Sequence, residues 1–204
     1  MTTKSTTKKT STSKPKAEVV TGPPQTIPKL PKNPFIFEIL DAVSKQRTKA
    51  KKIAVLKKYE EFALKVVLIW NFDESVVSIL PPGDVPYSSY DEQSVNSGTL
   101  STKLSQDIRN MYETGSFSLG VSDTQGRTTI RRECKHFYRF VKGGSDSMNS
   151  IRRESMFINI LQGLHPLEAE IVCLCKDKKL AEKYNLTQDV VAEAYPDIQW
   201  GNRS

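Results

Sequence analysis

From Phe35 to Phe72 the chain carries three successive apolar runs, each repeating with the period of a helix rather than of a strand. In "NPFIFEILDAVSKQ", Phe35, Ile36, Ile39, Leu40 and Val43 share one face, with Asn33 placed to cap and Pro34 suited to the first helical position. "RTKAKKIAVLKKY" starts at a Thr48 cap and turns Ile53, Leu56 and Tyr59 inward. "EEFALKVVLIWNF" follows two acids with an almost wholly apolar stretch, as a helix at the centre of a core would. The β-branched residues of "KVVLIW" also suit a strand, but Glu60–Glu61 and Ala63–Leu64 favour the helix.

The remainder reads the same way. Helices are expected from Ser101 to Glu113 (Leu104, Ile108, Met111 and Tyr112 inward), over "TTIRRECKHFYRFV" (Ile130, Cys134, Phe137 and Val141 on one face) and over "IRRESMFINILQGL" (Met156, Phe157, Ile160 and Leu161 inward). Proline, glycine and serine mark two long loops, near 79–99 and 114–128. The acid pairs Asp73–Glu74 and Asp91–Glu92 are expected in solvated loops. The fold class is mainly α: a compact helical bundle of about seven short helices with two long loops and a disordered basic N-terminal tail.

Charge divides the chain. The net charge is +7, and residues 1–34 hold +6 of it, as Lys4, Lys8, Lys9, Lys14, Lys16, Lys29 and Lys32 against Glu18. That segment is Lys, Thr, Ser and Pro with little to bury, and is expected to stay disordered. A single helical domain is expected over 35–200, with 201–204 as a C-terminal end. A lysine tail binds phosphate by releasing counterions, without sequence preference, or serves as a solubilising arm.

"HPLEAEIVCLCKDKKL" holds one of two histidines and two of three cysteines. His165 suits the cap and Pro166 the first helical residue, with Glu168 and Glu170 early and lysines late, the order a helix dipole favours. On a helix, Cys173 and Cys175 point about 200° apart and cannot share an ion or close a disulfide. Free core cysteine is the expectation. With no Gly-rich phosphate loop and no nucleophile beside a base, no enzyme activity, cofactor, metal or catalytic residue is expected. No apolar run is long enough to span a membrane.

"LAEKYNLTQDVVAEAYP" has the spacing of a helix-turn-helix, with Asn185 at the turn and Thr187 as cap. Its second helix would offer Asp189 and Glu193 outward and no cation, so it is expected to pack rather than to read DNA. More suggestive is "IRRECKHFYRFVK": on an α-helix Arg131, Lys135, Arg139 and Lys142 form one basic stripe opposite the apolar face. Lys45, Lys49 and Lys52 form a shorter one. Either stripe can contact phosphate or can be a solvated face paired with acids of neighbouring helices.

The motif order "FEILDAVSKQRTKAKKIAVLKKYEEFALKVVLIWNFD", "LPPGDVPY", "RRESMFINILQGLHPLEAEIVCLCKDKKL" and "LTQDVVAEAYPDIQW" resembles a family of contractile-tailed phage proteins of unknown function, found best in the cyanophage-type myoviruses. The resemblance spans about Phe35 to Trp200; the Thr114–Gly126 loop looks like an insertion in the pattern. It implies a phage source, a mostly helical fold, and the cytoplasm of an infected bacterium or the virion. It transfers no catalytic residue. Two functions are expected. One is an accessory protein binding DNA or RNA non-specifically through Lys4, Lys8, Lys9, Lys14, Lys16, Arg131, Lys135, Arg139 and Lys142, with a phage or host protein partner. The other is a structural or adaptor protein making protein contacts alone.

Overall fold

The apolar run that suited helix and strand alike is a helix, with Ala63, Leu64, Val67, Leu68 and Trp70 buried along it. The computed structural model describes residues 27–85, Arg109, Glu113 and residues 128–202. Among the described residues run eight α-helices: α1 (Ile36–Ser44), α2 (Lys49–Lys58), α3 (Phe62–Phe72), α4 (Ile130–Glu133), α5 (Ser150–Gly163), α6 (Pro166–Lys176), α7 (Leu180–Tyr184) and α8 (Gln188–Ala194). A 3-10 helix, Cys134–Phe140, continues α4 directly. The β structure in this set is one antiparallel bridge, Ser78 to Val141. The fold is mainly α. Helix α3 lies against α6, α1 packs on α2, α6 and α7, and α2 covers α8, while α5 joins the 3-10 helix to α6.

Helix α6 begins as its sequence says: His165 caps, Pro166 opens, and the His165 Nδ1 accepts a hydrogen bond from the Leu167 N–H at 3.2 Å. The ring lies against Phe35 and Phe37, centroids 5.1 and 5.0 Å away. Burial lowers its pKa to about 4, so the cap is a neutral imidazole. Glu168 is less ordinary. Its side chain is fully buried, and it does more than complement its own helix dipole. One carboxylate oxygen accepts from the Ile36 N–H at 3.3 Å and the other from the Ile130 N–H at 2.9 Å. One side chain thus satisfies the free N–H groups at the starts of α1 and α4.

This explains a departure at α1. Asn33 does not cap and Pro34 is not helical; the helix starts at Ile36 after Phe35. The Phe35 N–H donates to Glu38 at 2.8 Å, so two buried glutamates supply what a short polar cap would have supplied. Thr48 does cap α2, accepting from the Lys51 N–H. Thr187 precedes α8 but gives no side-chain cap bond. Asn185 takes the left-handed conformation, φ 45°, that turns α7 into α8.

Several expectations about exposure are corrected. Residues 27–34, read as tail, belong to the domain: the Leu30 N–H donates to the Tyr59 hydroxyl at 2.8 Å, which donates to the Pro28 carbonyl at 2.7 Å, and Pro34 is buried. Asp73 is buried because it accepts from the Ser75 N–H at 2.9 Å and from the Gly201 N–H, which also ties Gly201 to the domain; Glu74 is exposed. Lys52 is no part of a basic stripe. It is buried and donates to the Asn185 carbonyl, while Lys45 pairs with Asp41 and Lys49 with Glu193. Residues 1–26, Asp91–Glu92 and the Thr114–Gly126 loop lie outside the described residues. So does the Ser101–Glu113 stretch apart from Arg109 and Glu113, both helical.

Burial raises the Glu168 pKa to about 7 against the pull of its two N–H donors and Arg131. Between the ordinary carboxylate value and 7, the folded state holds a proton that the unfolded state has released. Stability from this group is therefore full below that window and lost as pH rises through it. His165 works oppositely: its stability is full above the ordinary histidine value and lost as pH falls toward 4. Glu168→Gln removes only the first term. Its unfolding free energy, measured in urea against wild type, should lag most at pH 5. By pH 8 the gap should narrow by about 2–3 kcal/mol. A gap independent of pH would contradict the burial assigned to this carboxylate.

Candidate nucleic-acid interface

The basic stripe drawn on an α-helix is re-sorted because the segment is not an α-helix beyond its first turn. At about 120° per residue, positions three apart align, and Lys135 and Arg139 fall on different rows. Cys134, Phe137 and Phe140 point inward, and Phe140 takes the core position expected of Val141. Arg132, Lys135 and Tyr138 point outward, while Glu133, His136 and Arg139 lie half-buried between the two rows.

A seven-residue 3-10 helix is long for its kind and needs outside support. The inner row provides one part. Trp70 lies 5.2 Å from Phe137 and 6.3 Å from Phe140, and Phe157 meets Phe140 edge-on at 5.2 Å. The C-terminal carbonyls are taken from outside as well. Arg153, buried on α5, donates to the Arg139 carbonyl at 3.0 Å, and to those of Ser145 and Met148 at 2.9 and 3.0 Å. The Phe140 carbonyl accepts from the Ile79 N–H at 2.9 Å. Then the chain turns sharply. Gly143 has φ 78°, and a Cβ on Gly144 would lie 1.8 Å from the Tyr138 carbonyl oxygen, so only glycine permits the approach.

The four expected site residues of this segment each have a definite place. Arg131 is structural: its guanidinium pairs with Glu61 at 2.5 Å and donates to the Pro34 carbonyl. Lys135 and Lys142 are exposed. Arg139 lies over the Tyr138 ring, 5.4 Å from its centroid, donates to the Tyr138 hydroxyl at 3.1 Å and touches the Met156 sulfur at 3.5 Å. Lys4, Lys8, Lys9, Lys14 and Lys16 lie outside the described residues. Arg132 and Tyr138 were not singled out by the helical spacing. The three-residue recurrence of Cys134, Phe137 and Phe140 is the signal that would have found them.

Among the described residues, Arg132, Lys135, Arg139 and Lys142 enter no ion pair, nor do Arg47, Lys51, Lys57, Arg152 and Lys179 elsewhere, whereas Arg131, Lys45, Lys49, Lys65, Lys176 and Lys183 all do. What marks the first four is that they stand close together on one braced segment. Beside the row is a cleft of about 370 Å³ lined by Glu133, Arg152, Met156 and Asn159, in which Glu133 accepts from the Thr128 hydroxyl at 2.7 Å. The face is therefore cationic with one acid set into its edge.

The cysteines offer no ligand cluster. Cys175 is buried with its sulfur 3.6 Å from the Val67 carbonyl, and Cys173, on the other side of α6, is partly exposed. Burial pushes the Cys173 thiol up to about 12 and Cys175 higher still. Among the described residues no group of three or more His, Cys, Asp or Glu side chains is placed to hold a metal ion, and no helix is long and apolar enough to cross a membrane.

No curated protein and no solved structure matches the chain. The chain belongs to a family of unknown function (DUF6433), whose model matches residues 39–121 and 119–182, the second stretch taking in the whole 3-10 row.

Proposed function

We propose that this chain is a non-enzymatic accessory protein that holds DNA or RNA without reading its sequence, through the Arg132–Lys142 face and the lysines of its N-terminal tail. The setting proposed is a contractile-tailed phage, on the resemblance of its motif order. The work is in replication, transcription or packaging, in the cytoplasm of the infected bacterium or in the virion. The observation that carries the reading is electrostatic. Arg132, Lys135, Arg139 and Lys142 stand on one short braced segment without ion pairs, on a domain that commits many of its other cations to acids or to backbone carbonyls. Unpaired cations on a rigid element favour phosphate, since their countercharge is released solvent ion rather than protein. Helix α8 fits no such role, for it turns Asp189 and Glu193 to solvent.

A second reading, an adaptor making protein contacts alone, is favoured by Phe62. It is 71% exposed and lines, with Val66, Ile69 and Ile198, a cleft of about 680 Å³ that Glu60, Glu61, Lys65 and Asp197 also line. A phage or host protein partner is compatible with both readings, and Phe62 lies apart from the cationic segment in the chain.

Arg132→Glu, Lys135→Glu and Lys142→Glu together, in the full chain, should weaken nucleic-acid binding. They should also flatten its salt dependence, by about 0.7–0.9 of a log unit of slope for each phosphate no longer neutralised. The fold should persist, because unpaired surface cations change stability by within about 0.5 kcal/mol each. A salt series by fluorescence anisotropy measures the first and thermal melting the second. Unchanged binding at every salt concentration would remove the role of this face and leave only the tail.

A further inference from the structure

The nucleic-acid reading leaves open which form of nucleic acid the face takes, and Tyr138 bears on that. It is one of four large apolar or aromatic side chains that stand exposed among the described residues, at 49%. Like Arg132 and Lys135, it points outward. In a 3-10 helix successive members of a row lie about 6 Å apart, so Lys135 and Tyr138 follow one another along a single line, with Arg132 exposed on the α-helical turn just before them. The ring is also held. Arg139 lies over it and donates to its hydroxyl, and the backbone beneath is held by Gly144 against the Tyr138 carbonyl and by Arg153 on the carbonyl of the next residue. A ring contacted in this way, on a braced backbone, gives up part of its rotamer freedom before a partner arrives. It meets a flat partner at a reduced ordering cost.

We infer that the partner of this face is single-stranded nucleic acid, with a base stacked on Tyr138 and flanking phosphates on Arg132 and Lys135. This rests on the nucleic-acid reading above. A duplex keeps its bases stacked on each other and presents phosphates alone to a row of this kind, so Tyr138 gains nothing from it. A single strand exposes both base faces and backbone, and it suits cations and an aromatic ring side by side. Every base has a ring face, so the contact carries no sequence preference. The Arg139 guanidinium over the same ring adds a second planar cation beside the base.

The test uses the full chain with oligothymidine and with a duplex of equal length, by anisotropy at several salt concentrations. Wild type should bind the single strand more tightly. Tyr138→Ala should lose roughly tenfold on the single strand and little on the duplex, and Tyr138→Phe should retain the preference. Two results would overturn the inference while leaving the nucleic-acid reading intact. One is equal affinity for both forms; the other is a Tyr138→Ala loss that is the same for both or absent. No binding of either form at low salt would overturn both. Thermal melting of Tyr138→Ala checks that any loss does not come from unfolding.

Discussion

A carboxylate with no exposure to solvent, Glu168, joins parts of the chain that are far apart in sequence. It reaches from α6 to the first N–H of α1 on one side and of α4 on the other. Helix starts buried without a partner are costly, at about 1–3 kcal/mol for each unsatisfied group. Here both are served by one residue, and the pairing fixes where α1 and α4 begin. The location of the 3-10 row follows from it, since Ile130 is the first residue of the segment that becomes the row. Arg131 next door reinforces the joint by clamping Glu61 and the Pro34 carbonyl, so the ion pair belongs to the same junction and not to the surface.

Internal cations are used in a consistent way. Lys52 donates to the Asn185 carbonyl, and Arg153 to three carbonyls around the Gly143–Gly144 turn. Lys176 donates to the Pro81 and Gly83 carbonyls, and Lys178 to those of Trp70 and Asp73. Helix ends and tight turns leave carbonyls unpaired, and long flexible cations reach them from neighbouring elements. Net charge is therefore a poor guide to which surface is basic. Counting lysines and arginines along α2 or at the end of α6 mixes clamps with solvent-facing groups. Once the clamps and the ion pairs are set aside, the exposed cations that remain include Arg132, Lys135 and Lys142 about the 3-10 helix, Arg47, Lys51 and Lys57 on and just before α2, and Arg152 and Lys179.

Much of the helical order was legible in the sequence, because caps and apolar spacing act locally. Thr48, His165, Pro166 and Asn185 all do what their positions suggest. What escaped was non-local. No pattern in "NPFIFE" shows that a glutamate more than a hundred residues away caps the helix there. The short polar cap expected at Asn33 was displaced by that buried partner. The basic stripe failed for a different reason. Ile130, Cys134, Phe137 and Val141 satisfy an α-helical face, while Cys134, Phe137 and Phe140 satisfy a 3-10 face. Both patterns are present in the same residues. The choice between them is made by Trp70, Phe157 and Arg153, which come from other elements. That choice brought Tyr138 out, while Arg131, on the α-helical turn before it, is drawn into the structure by Glu61 and the Pro34 carbonyl.

On the reading proposed above, nucleic acid meets the folded domain at the 3-10 row, and not the lysine tail alone. Ultraviolet crosslinking of the full chain to a single-stranded oligonucleotide, followed by mapping of the modified peptides, addresses this directly. A crosslink is expected on the peptide containing Tyr138, since an aromatic ring stacked on a base is well placed to react. Crosslinks confined to residues 1–34, with none at Tyr138, would contradict it.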